Sequence, residues 1–261
     1  MTTLPMPPPP RAGLELKRVR IALNGALLIP ETSLTVHPGQ VVTIMGPSGS
    51  GKSSLLAYLC GTLPRPFQAS GEVWIHGVDV SRLPIEQRQI GILFQDDLLF
   101  PHLTVGENLL FAIPRSVDRP HQRRDRMRQA LTEAGLAGTE DRDPATLSGG
   151  QRARVALMRT LLARPRAVLL DEPFSKLDAH LKAAIREFVL NHVRAKGLPV
   201  LMVTHALDDA QAAGGPVLQV GQAEAGRVGI DTGDFWSPAA SQGWESGSRV
   251  QGSGKKQLPG S

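Results

Sequence analysis

Cysteine is almost absent from this chain of 261 residues, and aromatic residues make up only 4% of it, with a single tyrosine. One cysteine, Cys60, excludes an internal disulfide and any metal site built from several thiolates. It stands in the apolar stretch LLAYLCG and reads as a packed core thiol, which suits a reducing compartment. No apolar run approaches the roughly 18 to 20 residues that a membrane helix needs. A role at a membrane would therefore require spans supplied by other chains. The opening MTTLPMPPPPRAG has no early basic residue and no apolar core, so no secretory signal is expected there, and its proline run should stay extended and solvated.

Hydrophobic residues at 41% and charged residues at 20% predict a folded, soluble globule, with room for one large α/β domain or two small ones. The formal charge of +5 could suit nucleic acid or anionic lipid. Much of the excess lies within residues 119–128 and at Lys255 and Lys256, however. Arginines alternate with Gln and Asp in the first of these, the pattern of a solvated helix face.

The most informative stretch is 41–58, VVTIMGPSGSGKSSLLAY. Val41, Val42, Ile44 and Met45 suit a parallel strand buried on both faces. Gly46, Gly49 and Gly51 remove the Cβ penalty where the backbone must curl with its N–H groups turned inward. Such a loop makes a nest for phosphate oxygens at the positive end of the following helix. Gly46, Gly51, Lys52 and Ser53 fit G-x-x-x-x-G-K-[ST] without a mismatch. Pro47, Ser48 and Ser50 complete the loop, and Ser54 follows in the first helical turn. In this motif Lys52 meets the β- and γ-phosphates and the Ser53 hydroxyl ligates Mg²⁺. The motif serves kinases, GTPases, motors and transport ATPases alike, so other segments must choose among them.

Before this loop, Asn24-Gly25 predicts a hairpin turn between short strands. After it, 63–71 reads as a loop with two prolines, and 71–78 alternates like a strand. IGILF at 90–94 is a short buried strand ending at Gln95. Thr104 with Glu107 three residues on is a capping box that opens a helix. A second helix is expected over 118–136, with Met127, Ala130, Leu131 and Ala134 on its apolar face. LSGGQ at 147–151 opens another helix and forms a second anion-ready terminus through Ser148, Gly149, Gly150 and Gln151. Residues 167–170 form an apolar strand ending in Asp171-Glu172. FSKLD at 174–178 leads into a helix over 179–196, with Leu181, Ile185, Phe188, Val189 and His192 near one side. PVLMVT at 199–204 is a buried strand ending at His205, and 217–220 and 226–230 could close the sheet. Gln95, Asp171, Glu172 and His205 all fall at strand C-terminal ends, the edge where open parallel sheets bind ligands.

With these segments in order, the chain resembles the ATP-binding-cassette ATPases over residues 14–221. GPSGSGKS is similar to that family's P-loop, Gln95 to its Q-loop, LSGGQ to its signature, VLLDE to its Walker B strand, SKLD to its D-loop, and His205 to its switch histidine. FPHLTVGENL further resembles ATPases of bacterial importers, closest to those for thiamine, sulfate, spermidine and iron. The resemblance implies an α/β P-loop NTPase fold: a mostly parallel core sheet, an antiparallel N-terminal β-subdomain and a helical subdomain. It divides the chain into a proline-rich start (1–12), an ATPase domain (13–225) and a Gly/Ser-rich tail expected to be disordered (226–261). Within the ATPase domain it implies a nucleotide-binding lobe (13–95 and 158–225) and a helical lobe (96–157).

It also implies roles. Lys52 neutralises phosphate charge, Ser53, Gln95 and Asp171 help hold Mg²⁺, Glu172 activates water, and His205 holds the γ-phosphate. Two copies would face head to tail, each ATP lying between one copy's P-loop and the Ser148, Gly149, Gly150 and Gln151 of the other, with Asp178 linking the two sites. Partners would be a second identical subunit, integral-membrane permease subunits and a periplasmic solute-binding protein, at the cytoplasmic face of the cell membrane, with no nucleic acid. Leu98, Leu99, Phe100 and Leu103 would form the socket for a permease helix.

Three departures stand out. No aromatic lies near Leu23, where the family often stacks one on adenine, a loss on the order of 1 kcal/mol. Ala206 replaces the usual acid after the histidine, and Lys176 stands where a small residue is common. The tail is short for the regulatory β-sandwich of several related importers, so no regulation through such a domain is expected. A non-transport member of the superfamily, acting on DNA or ribosomes, is the alternative; it would use the basic charge, but the chain has one cassette and no heptad run.

Overall fold

A computed structural model describes residues 13–115, 119–220 and 230–231. The chain enters as β1 (Leu14–Leu23), turns through Asn24 and Gly25 at φ of 49° and 82°, and returns antiparallel as β2 (Ala26–Val36). Asn and Gly tolerate the left-handed backbone, so the hairpin forms where Asn24-Gly25 predicts it. Then follow β3 (Val41–Met45), α1 (Lys52–Cys60), β4 (Phe67–Ile75), β5 (Val78–Asp79), α2 (Ile85–Arg88) and β6 (Ile90–Leu93). Three helices come next, α3 (Val105–Ala112), α4 (Pro120–Glu133) and α5 (Gly149–Leu162). The chain continues with β7 (Ala167–Asp171), α6 (Ala179–Ala195), β8 (Val200–Thr204), α7 (Leu207–Ala213), β9 (Val217–Val220) and β10 (Ile230–Asp231).

The strands form two sheets. An antiparallel sheet runs β2-β1-β4-β5, and a six-stranded sheet runs β10-β9-β3-β8-β7-β6, parallel except for β10. This is an α/β fold with the expected division into parallel and antiparallel sheets. Strand alternation then builds two cores. Val42, Ile44, Leu169, Leu201 and Val203 face α1 and the antiparallel sheet. Val41, Val168, Leu170, Val200 and Met202 face the helices α3 to α6. Strands buried on both faces should be mainly apolar, and these are, with Thr43 in β3 and Thr204 at the end of β8 as the buried polar residues.

Some segments differ from expectation. The stretch 63–71 is not wholly loop: β4 begins at Phe67, opposite Leu23, because β1 offers a full antiparallel edge that local prolines do not forbid. Gly71, at φ 106°, absorbs the register shift there; a Cβ would lie 2.5 Å from the Arg18 carbonyl oxygen. On α6 the buried stripe is Ile185, Val189, Leu190 and Val193, while Leu181 is exposed. The stripe sits one residue round from the expected one because α6 packs against α5 and α7 together. Helix α5 runs unbroken through position 157. The proline-rich start, the tail beyond 231, residues 226–229 and the first residue of the expected 118–136 helix lie outside the described residues.

Cys60 is buried as expected, and burial pushes its thiol up to about 11. Beside it stands a group the sequence reading passed over. Arg88 is buried and donates to four carbonyl oxygens: Leu83 (2.9 Å), Tyr58 (2.9 Å), Leu59 (2.8 Å) and Ser81 (2.7 Å). Two of these end α1, where helix carbonyls run short of partners: Tyr58 also accepts from the Gly61 N–H at 3.1 Å, whereas Leu59 relies on Arg88. Arg88 thus ties the far end of the helix that opens at Lys52 to the strand that leads to Gln95. Replacing Arg88 by Leu should cost roughly 2–4 kcal/mol, since the carbonyls stay buried without donors; the urea unfolding midpoint checks this.

Candidate active site

The loop between β3 and α1 is shaped by backbone that only glycine tolerates. Gly49 and Gly51 have φ of 81° and 89°. Gly46 is needed for a different reason, because a Cβ there would sit 2.2 Å from the Val220 carbonyl oxygen at the end of β9. Lys52, 5% exposed, folds back over this loop and donates to the carbonyls of Gly46 and Pro47, each at 2.8 Å. Its ammonium is therefore held at the loop by oxygens that a phosphate can replace.

The parallel register places the other candidates at the same edge. Ser53, one residue into α1, donates its hydroxyl to Asp171 Oδ1 at 3.3 Å, joining the loop helix to the end of β7. Burial raises the Asp171 carboxyl above its ordinary value; the Ser53 hydrogen bond opposes this, neighbouring Glu172 adds to it, and Lys52 opposes it. Glu172 holds φ at 45°, a left-handed backbone that a non-glycine residue adopts only under constraint. Here the constraint is visible. Its N–H pairs with the Val203 carbonyl at 3.0 Å, and its own carbonyl accepts the Ser175 hydroxyl at 2.8 Å. Such strain gathers at functional sites. Glu172 Oε1 lies 3.1 Å from Nδ1 of His205, the residue after β8. Loop, Asp171, Glu172 and His205 thus converge.

Gln95 stands exposed two residues past β6. The two acids after it are both engaged: Asp96 with Lys176, and Asp97 with Arg152 at 3.3 Å. Lys176, the departure noted in the D-loop, so links that loop to the segment after Gln95. Burial raises the Asp97 carboxyl, with Arg152 opposing.

Ser148 caps α5. Its hydroxyl accepts from the Gln151 N–H at 3.3 Å, and the Gln151 side chain accepts from the Ser148 N–H at 2.9 Å. The Gln151 amide oxygen is thereby committed to the cap. Gly150 packs on α6, where a Cβ would meet Ile185 at 3.4 Å. Asp178 caps α6 without a side-chain hydrogen bond. Among the described residues, no hydrogen bond or ion pair joins 148–151 or Asp178 to the loop at 46–54.

The segment 97–103 is fastened by residues that sequence reasoning missed. Asn108, fully buried on α3, accepts from the Phe100 N–H (2.8 Å) and donates to the carbonyls of Phe100 (3.1 Å), Leu103 (3.2 Å) and Thr104 (3.0 Å). Arg159 of α5 donates to the Leu98 carbonyl at 2.7 Å and lies 5.3 Å from the Phe100 ring centre. An Asn among the apolar residues of GENLLFA was the available signal. So held, the segment leaves Leu98 exposed, and Phe111, 70% exposed, packs edge-on to Phe100 at 4.9 Å.

The ABC transporter family matches residues 29–175. The uncharacterized ABC transporter ATP-binding protein YnjD of Escherichia coli is 49% identical over 197 residues, 76% of this chain and 90% of that protein. The Fe(3+) ions import ATP-binding protein FbpC of Agrobacterium fabrum is 36% identical over 225 residues, covering 86% of this chain and 63% of its own. FbpC 1 of Haemophilus influenzae is 38% identical over 205 residues, covering 78% and 62%. The chain thus spans less than two thirds of the length of these iron-import relatives.

The close approach at Gly46 makes a direct test of the loop. Gly46→Ala must displace either the loop or the end of β9, so nucleotide affinity should fall together with thermal stability, by about 1–3 kcal/mol for the latter. Titration with a fluorescent ATP analogue and a melting curve measure both.

Proposed function

The chain belongs to the ABC transporter family of ATP-binding proteins and is an ATPase, and on that footing we propose that it drives uptake of a small solute through separate membrane-spanning subunits. The observation that carries this reading is the convergence of Lys52, Ser53, Asp171, Glu172 and His205 on one edge of the parallel sheet. The iron-import names of several relatives support uptake as the direction. Among the described residues no helix is long and apolar enough to cross a membrane; in this reading the chain is a peripheral subunit at the cytoplasmic face. A solute-binding protein outside the membrane would complete such a system, and nucleic acid has no part in it. The two-lobe division of residues 13–225 belongs to the same proposal.

In this reading Lys52 leaves the carbonyls of Gly46 and Pro47 for the β- and γ-phosphates of ATP, while the loop N–H groups of residues 46–51 cradle the same oxygens. The Ser53 hydroxyl and the Asp171 carboxylate suit Mg²⁺, a hard ion that keeps several waters and takes few protein ligands. They already lie within hydrogen-bonding distance of each other, and among the described residues no cluster of His, Cys, Asp and Glu offers a complete cage. The ion would therefore rest on Ser53, on Asp171 through water, on Gln95 and on the phosphates, where it neutralises charge. Glu172 accepts a proton from the attacking water. His205, now paired with Glu172, turns to the γ-phosphate and holds the water in line.

Two copies supply each site. Ser148, Gly149, Gly150 and Gln151 of one copy approach the nucleotide on the other, with backbone N–H groups and the α5 dipole as the attractive elements. The commitment of the Gln151 amide oxygen to the cap fits a backbone role. Asp178 crosses between the two sites. Each ATP then acts as an adhesive, and hydrolysis frees the pair.

Two outcomes test the proposal. Glu172→Gln should retain ATP binding and lose roughly 10²- to 10⁴-fold in turnover, the range a general base contributes; single-turnover phosphate release measures it, and wild-type release would remove Glu172 from this role. Of the expected socket residues only Leu98 is exposed; Leu99 packs against the core and Phe100 and Leu103 are half-buried, so the apolar patch suited to a permease helix is Leu98 and Phe111 around the half-buried Phe100. Phe100→Asp should spare basal ATPase and abolish solute-stimulated ATPase in proteoliposomes containing the permease; full stimulation would exclude the patch as the docking point.

A further inference from the structure

Asp178 caps α6 and His205 lies between β8 and α7, and α6 grips α7 at both ends. Asp209, in the first turn of α7, is 1% exposed. Its Oδ2 lies 3.1 Å from Lys182 Nζ and its Oδ1 3.1 Å from Arg186 Nη1, so each carboxylate oxygen has its own cation. At the other end of α7, the Arg194 guanidinium donates to the Ala213 carbonyl. The three cations all belong to α6. Lys182 and Arg186 are one turn apart on the same face, and Asp178 heads that face one turn earlier, as the N-cap of the helix.

The opposite end of this connection is just as short. Three residues separate His205 from Asp209, and among them Ala206 caps α7 with its N–H bonded to the Thr204 hydroxyl at 3.0 Å. His205 is therefore held from both sides, by the end of β8 and by the start of α7, so the seating of α7 bears on where it stands. Ion pairs taken out of water add little net stability compared with apolar packing of the same volume, because desolvation opposes the attraction. What they add is directionality: two cations on two oxygens fix the rotation of α7 against α6, which a smooth apolar contact does not. The apolar residues of α6 that could do the packing alone, Ile185, Val189, Leu190 and Val193, are already buried.

We propose that the Lys182–Asp209–Arg186 cluster is a positioning clamp that makes Asp178 and His205 move as one body, so that docking of the D-loop on a second copy brings His205 to the nucleotide. Asp209 touches no reacting atom; it acts through His205. The proposal rests on the roles of Asp178 and His205 given above, and it ties hydrolysis at one site to formation of the interface around the other.

The test compares the full-length wild type with the triple variant Lys182→Met, Arg186→Leu, Asp209→Leu, which removes the charges without leaving one unpaired. Lys182→Met alone keeps the Arg186–Asp209 pair and secures a folded variant, and Asp209→Glu keeps the charge. ATP-analogue affinity and melting temperature should stay near wild type in the triple variant. Its kcat should fall by about 10²-fold, the scale on which a misplaced catalytic group loses rate, and the Hill coefficient for ATP should drop to one. Lys182→Met should shift both in the same direction by less, and Asp209→Glu should restore them. Wild-type kcat per folded molecule with an unchanged Hill coefficient, in the triple variant or in Lys182→Met, would overturn the clamp. His205→Ala separates the two levels: lost turnover there with full turnover in the triple variant overturns the clamp alone, whereas full turnover in His205→Ala overturns the role of His205 and the clamp with it.

Discussion

The parallel ladder between β7 and β8 decides where the reactive groups stand. Asp171 pairs with Val203, and the Glu172 N–H still finds the Val203 carbonyl after the strand has ended. That last bond holds Glu172 in a left-handed conformation and brings its carboxylate to His205. The ladder with β3 on the other side of β8 sets the loop carrying Lys52 at the same level, Met45 lying opposite Thr204. A slip of one residue in either pairing would turn every apolar side chain to the wrong core and carry the site away with it. The two cores, one on each face of the sheet, are therefore what secure the register of the chemistry.

Around that edge, polar side chains bonded to backbone carbonyls hold the connecting segments. Arg88 closes the far end of α1, Asn108 folds the segment after Gln95 onto α3, and Arg159 holds the same segment to α5. Each satisfies carbonyls that a loop or helix end would leave without partners, so each is difficult to replace by an apolar residue. The segments they hold are those between the nucleotide and the proposed permease surface. An ATPase that must transmit a change at the γ-phosphate to another chain needs such segments to be ordered but not part of the core. Hydrogen bonds to backbone serve that purpose, since they break and reform without repacking.

Much of this was legible in the residues alone. The glycine pattern of 46–51, the apolar runs of β3, β7 and β8, the capping box at Thr104 and the helix start at LSGGQ are local signals, and the structure contains each of these elements. The polar residues at strand ends pointed to a shared edge before any coordinates did. The start of β4 at Phe67 was not legible, because it depends on a partner strand more than 40 residues away in sequence, Leu23 lying opposite Phe67. Nor was the buried stripe of α6, since two neighbouring helices, not one, define it. Arg88, Asn108 and Asp209 were missed for the same reason: a charged or polar residue in a helix looks solvated until its partners are known.

Short-range chemistry, then, was settled by the order of residues: which segments are strands, where a phosphate can nest, and which side chains carry oxygen, nitrogen or charge to the strand ends. The tertiary structure alone decided the contacts across the chain. It put Ser53 on Asp171, Glu172 on His205, and Asp209 between Lys182 and Arg186. Backbone propensity acts over a few residues, whereas those pairs are joined by sheet register and helix packing, which depend on the whole apolar core at once.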